Sequence, residues 1–226
     1  MKPSDRLRVE FLEERKMICR RTGLDSKKVE GFHSKIVALL EKGPKKDRMG
    51  EMFEEFFDNM ASVFHSLEEF MELTTARIIP KRTRLLVELF YYLGLSEGLL
   101  SQLVQSIALI LMEYGHDIYD PQRMKFVKSY RDLDKVSLFV KLQFVEAHGF
   151  KYLTEIYNRK LRNCVAHLRF NLNDDGTITN RITGEKIEEK VMLQQIGELT
   201  AMGRLVLLTY REALEVQALE TEQSRV

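Results

Sequence analysis

The segment RLLVELFYYLGLSEGLLSQLVQSIALILMEY, within residues 81–114, constrains this chain more than any other. It follows Pro80, precedes Gly115 and contains no proline. Proline suits the start of a helix and breaks its interior, so one long helix should open at residue 81. Apolar residues cover most of its faces, and a helix apolar all round has to be buried. We therefore place it at the centre of a helical bundle, with a kink expected near Gly94 or Gly98. Its most apolar part, Leu99 to Met112, is interrupted by Ser101, Gln102, Gln105 and Ser106. That falls short of the roughly 20 apolar residues that span a bilayer, so no membrane association is expected.

The rest of the chain reads in the same way. Only four Pro and twelve Gly punctuate 226 residues, too few for the many turns of an all-β protein. The 3.6-residue period predicts helices over residues 4–22, from a cap at Asp25 or Ser26 to about 40, and over 47–75, 122–130, 133–147, 150–167 and 186–219. The 47–75 helix carries an aromatic stripe (Phe53, Phe56, Phe57, Phe64 and Phe70) that suits a core face. GHDIYDPQ, residues 115–122, reads as a loop whose His116, Asp117 and Asp120 lack a matching ligand cluster elsewhere. Leu168, Phe170 and Leu172 alternate with polar residues before Asp174-Asp175-Gly176, which signals a β-hairpin. The same stretch departs from a calcium loop, because Asn171 opens it and Ile182 stands where a bidentate Glu is needed. The expected fold is an all-α bundle over 80–220 with a small β-hairpin insertion, preceded by extra helices in a separate N-terminal region, 1–79.

Charge narrows the function. Lys and Arg total 35 against 34 Asp and Glu, a net of +1, which excludes a uniformly basic nucleic-acid coat. The charge is blocked, however. Residues 1–50 hold 14 bases and 8 acids, 51–76 seven acids and no Lys or Arg, and 77–84 four bases and no acid. Arg77, Lys81, Arg82 and Arg84 read as a solvated linker and as a second candidate for phosphate contact. Two cysteines, Cys19 and Cys164, suit neither a disulfide framework nor a metal site. The N-terminal MKPSDRLRVEFLEERK has no apolar signal core. A reducing, cytoplasmic setting is the expectation, with no cofactor and no metal.

Chemistry concentrates in YNRKLRNCVAHLRF, residues 157–170. On a helix, Tyr157, Leu161, Cys164 and Leu168 share an apolar stripe, while Asn163 and His167 are four apart on a neighbouring face. Arg162 lies about 140° round from His167. A guanidinium is a permanent forked donor suited to phosphate, and an imidazole moves protons near neutral pH. An Arg–His pair with no acidic cage suits metal-independent RNA cleavage, in which the 2′-hydroxyl is the nucleophile. Spacing alone is weak. With 18 Arg and five His, about 0.4 pairs arise by chance at any fixed offset. Each residue could equally bond the last helix carbonyls.

Arg162-Asn163-Cys164-Val165-Ala166-His167 resembles the R-x4–6-H motif of HEPN-domain proteins, with Asn directly after the Arg. The motif also lies near the end of a late helix, followed by a short excursion and a final long helix. The resemblance covers about residues 81–219. It implies an all-α bundle that pairs as a homodimer, so that two motifs meet in a cleft. It also implies an endoribonuclease of toxin–antitoxin or defence systems, or else an inactive member that binds RNA, nucleotide or a protein partner. Under that resemblance Arg162 and His167 are the catalytic pair and Asn163 supports them. Arg159, Lys160 and Arg169 supply local charge for RNA. A partner such as an antitoxin would control the activity.

Overall fold

A computed structural model describes residues 3–41, 58–66, 68–69, 72 and 79–223. Of these, 73% are helical and 7% in strands, so the protein is all-α with small β accessories. Helix α1 spans Pro3–Thr22 and α2 Ser26–Glu41. Gly23, at φ +74°, ends α1, and its N–H bonds the Cys19 carbonyl at 2.9 Å. A left-handed glycine is a common helix stop. Asp25 then accepts from the N–H groups of Lys27 and Lys28 and caps α2. Residues 58–66 are helical. Of the expected 47–75 stripe, Phe53, Phe56, Phe57 and Phe70 lie outside the described residues.

The central helix forms as α3 (Lys81–Gly94) and α4 (Leu100–Glu113), joined by a π-helical turn at Leu95–Leu99. This π-helical turn stands where a kink was expected, near Gly94 or Gly98, and such turns recur at functional sites. Among the described residues, Lys81–Glu113 is the one helix long and apolar enough to cross a membrane, and 72% of its most apolar window is buried inside the protein. Leu89, Tyr92, Leu95, Leu99, Val104 and Ile107 are fully covered. Of the basic run, Lys81, Arg82 and Arg84 belong to the first turn of α3 rather than to a linker, and Arg77 lies outside the described residues. Lys81 and Arg84 face Glu189 at 3.9 and 3.3 Å.

The N-terminal helices do not stand apart as a separate body. Phe32 and Ile36 of α2 lie in the same buried cluster as Leu89, Leu103 and Val206. A buried polar clamp also holds α1 and α2 to the last helix, α9 (Glu189–Gln223). Arg15, 4% exposed, donates to Glu212, and reaches Glu30 at 3.2 and 3.3 Å. His33 sits beside them, with Nδ1 3.2 Å from the Thr209 hydroxyl. Burial first, and then Arg15, push its imidazole down to about 4, so it is neutral at pH 7. Its 3.5 Å approach to Glu212 is therefore not an ion pair there.

After α4 the chain departs from expectation. Residues 119–126 form a short antiparallel hairpin, β1 (Tyr119–Asp120) with β2 (Lys125–Phe126), where a loop and a helix were expected. Asp120, 3% exposed, accepts from the Gln122 N–H at 2.9 Å. That side-chain turn outcompetes a helix start. Helices α5 (Tyr130–Asp134) and α6 (Leu138–Ala147) follow, capped by Ser129 and Ser137. The single helix expected over 150–167 is two, α7 (Lys151–Glu155) and α8 (Arg159–Ala166). Asn158 breaks it, because its side chain accepts from the Leu161 N–H at 3.0 Å and caps α8. The expected hairpin is a three-stranded antiparallel meander of β3 (Phe170–Leu172), β4 (Thr177–Asn180) and β5 (Lys186–Glu188). Its turn at Gly176, φ +87°, is the one the sequence marked.

Candidate functional site

Helix α8 is short, and its two ends are fixed by different devices. At the start, the Asn158 cap is reinforced by buried Tyr92, whose hydroxyl donates to the Asn158 carbonyl at 3.0 Å. Leu161, Cys164 and Val165 bury one face, each 2% exposed or less. The end is a Schellman closure. Arg169 N–H bonds the Cys164 carbonyl at 2.8 Å and Leu168 N–H bonds Val165 at 3.0 Å. That geometry places Leu168 at φ +50°, a position that normally takes Gly. Leu168 is 56% exposed, so it leaves the apolar stripe it was expected to continue. The helix ends at Ala166, two residues short of it. Arg181, between β4 and β5, holds this turn by bonds to the carbonyls of Leu168 and Arg169. The meander thus braces the chain directly after His167.

Arg162, Asn163 and Arg159 converge on one cleft of about 320 Å³. Tyr157 and, from α6, Phe139 and Gln143 complete its walls, and Pro121 and Gln122 of the β1–β2 turn close one side. Arg162 Nη1 donates to Asn163 Oδ1 at 2.8 Å, and its Nε donates to Glu97. The bond to Glu97 raises the guanidinium pKa, so Arg162 keeps its charge. Tyr157 is half-buried, and burial raises its phenol pKa, keeping it a neutral donor. Arg159 lies 4.0 Å over the Phe139 ring, which fixes its guanidinium at the rim. The cleft therefore offers two fixed guanidiniums, a phenol and an amide, a donor set suited to a phosphate or phosphodiester.

The other expected residues lie outside this cleft. His167 caps the far end of α8, exposed, its N–H bonded to the Asn163 carbonyl at 3.2 Å. Among the described residues its imidazole makes no hydrogen bond. Lys160 is turned away and faces Glu185 at 3.7 Å. Arg169 is exposed in the turn after His167. Cys164 donates its thiol to the Arg169 carbonyl at 3.2 Å, and burial raises its pKa, so it is no nucleophile. His116 packs against His148 with centroids 4.3 Å apart and the rings tilted by 60°.

Glu97 is the residue that sequence reasoning missed. It sits in the π-turn between Gly94 and Gly98. Its signal was a lone carboxylate in an otherwise uncharged run, residues 89–112. A larger groove, about 1030 Å³, lies between α1 and α9 and is mainly apolar, with Met17, Ile18, Tyr91 and Leu208 in its walls. It brings together none of the motif residues. A comparison with protein-family models finds no match, and neither curated proteins nor solved structures give one.

Proposed function

We propose that the chain is a metal-independent endoribonuclease of HEPN type, cutting single-stranded RNA as a homodimer. The observation that carries this reading is the cleft beside α8, where Arg159, Arg162 and Asn163 gather while His167 ends the same helix in solvent. In the proposed reaction an imidazole takes the proton of a ribose 2′-hydroxyl. That oxygen bonds to phosphorus, the bond to the 5′-oxygen breaks, and a second acid protonates the leaving oxygen. The products are a 2′,3′-cyclic phosphate and a 5′-hydroxyl. Arg162 stabilises the charge that gathers on the phosphoryl oxygens. One chain offers one motif imidazole, so pairing two chains supplies both the base and the acid.

The test is cleavage of mixed-sequence single-stranded RNA in the presence of EDTA. Wild type should cut, and His167→Ala and Arg162→Ala should not. Identical background from wild type and His167→Ala sinks the reading, as does cleavage abolished by EDTA. A second reading is favoured by one contact: Glu97 already occupies Arg162. On that reading the chain is an inactive HEPN-like module that binds RNA, nucleotide or a protein partner. RNA binding without cleavage selects it. A toxin role under an antitoxin requires growth arrest on expression, relieved by His167→Ala.

A further inference from the structure

We infer that the β1–β2 hairpin is a base-stacking platform for single-stranded RNA whose backbone enters the Arg162 cleft, an inference that rests on the reading above. Tyr119 and Phe126 are direct cross-strand partners, and their rings meet edge to face at 5.3 Å. Both are large and apolar, yet 47% and 53% exposed. Asp120 and the adjoining Val127 are buried, so the exposed rings are not the hairpin's only anchor. Its turn is continuous with the cleft through Pro121 and Gln122.

Charge decides the occupant. Residues 117–128 carry Arg123, Lys125 and Lys128, all exposed, against two carboxylates, exposed Asp117 and buried Asp120. Arg123 leans on Asp120 at 3.7 Å and Lys125 on Asp132 at 3.2 Å. Aromatic rings interleaved with cations suit an unpaired strand, where bases stack and phosphates are neutralised. A two-fold contact between copies of this chain would instead set these cations against their own copies. The platform would hold a base next to the scissile phosphate. Duplex RNA, whose bases are already stacked, would not use it.

The chain has no Trp, so Phe126→Trp gives a single reporter on the platform. In a His167→Ala background its emission should be quenched by single-stranded RNA and not by a duplex of the same sequence. Tyr119→Ala with Phe126→Ala should weaken single-strand binding roughly tenfold, and Tyr119→Phe should retain it. In the active protein the double variant should raise KM more than it lowers kcat. Unchanged emission at saturating RNA, with Arg162→Ala still abolishing binding, overturns the platform and leaves the proposed function standing. Quenching without cleavage by the otherwise unaltered protein supports the platform and removes the enzyme. A double variant that turns a dimer into a monomer with unchanged RNA affinity also overturns it, because the rings then serve a protein contact.

Discussion

Replacing Glu97 by Gln separates a phosphate-binding Arg162 from a structural one. Glu97 bonds the Arg162 Nε, leaving Nη2 of the fork for a ligand. A phosphate on that side would sit roughly 6 Å from the carboxylate, where like charges repel by about 0.7 kcal/mol in water and about 3 kcal/mol at an effective dielectric of 20. The side chains of Arg162 and Glu97 are 26% and 41% exposed, which places the site nearer the watery limit. We take about 1 kcal/mol, or about fivefold in affinity. Gln keeps an oxygen that can still accept from Nε, so the guanidinium stays oriented. Binding of fluorescent single-stranded RNA should be measured by anisotropy in a His167→Ala background. Glu97→Gln should tighten it about fivefold, with the gain shrinking as salt rises. Unchanged or weaker binding, together with a lower melting temperature, would refute the reasoning and leave Arg162 as a clasp between α8 and the π-turn.

Other substitutions test the frame. The His33 pKa is depressed to about 4, so the unfolded chain binds more protons between that value and the ordinary 6.5. The stability it contributes is fully present above pH 6.5 and is lost as pH falls toward 4, by up to ~3 kcal/mol. The melting temperature should therefore drop from pH 7 to pH 5, and His33→Gln should flatten that drop. Glu212, raised mainly by burial, acts in the opposite sense, so a steeper profile in His33→Gln would contradict the assignment. Asn158→Ala removes the α8 cap and should cost about 1 kcal/mol in a denaturant melt. It should also reduce activity by loosening Arg162, whereas a loss below about 0.3 kcal/mol would mean the cap is idle. A Cβ at Gly203 would lie 2.6 Å from Leu99 Cδ2. Gly203→Ala should thus destabilise by about 1–3 kcal/mol through overpacking, and a neutral melt would show that Leu99 repacks freely. Leu168→Gly relieves the left-handed backbone and should raise stability by about 1 kcal/mol. A loss there would mean the exposed leucine is held by packing.

Much of the frame was legible because it depends on local rules. Apolar periodicity revealed the core helix, and Gly23, Asp25 and Asp174-Asp175-Gly176 marked stops and turns by their backbone preferences. The errors came where a single polar side chain redirected the backbone. Asp120 holds the N–H of Gln122, where a helix was expected to start, in a turn, and Asn158 split one helix into two. Periodicity does not register such competition. The spacing of Leu168 fits the core stripe, but the helix has already closed at His167.

The sequence by itself determined the helical class, the buried central helix and the grouping of Arg159, Arg162, Asn163 and His167 on one short segment. These follow from spacing along the chain. Only the tertiary structure decided that Glu97, 65 residues before Arg162, is its partner. It also decided that Arg159, Arg162 and Asn163 share a cleft from which His167 is absent. Charge pairing and cleft formation depend on which helices pack together. A π-turn, a cap and a braced turn fix those directions, and no repeat in the sequence records them.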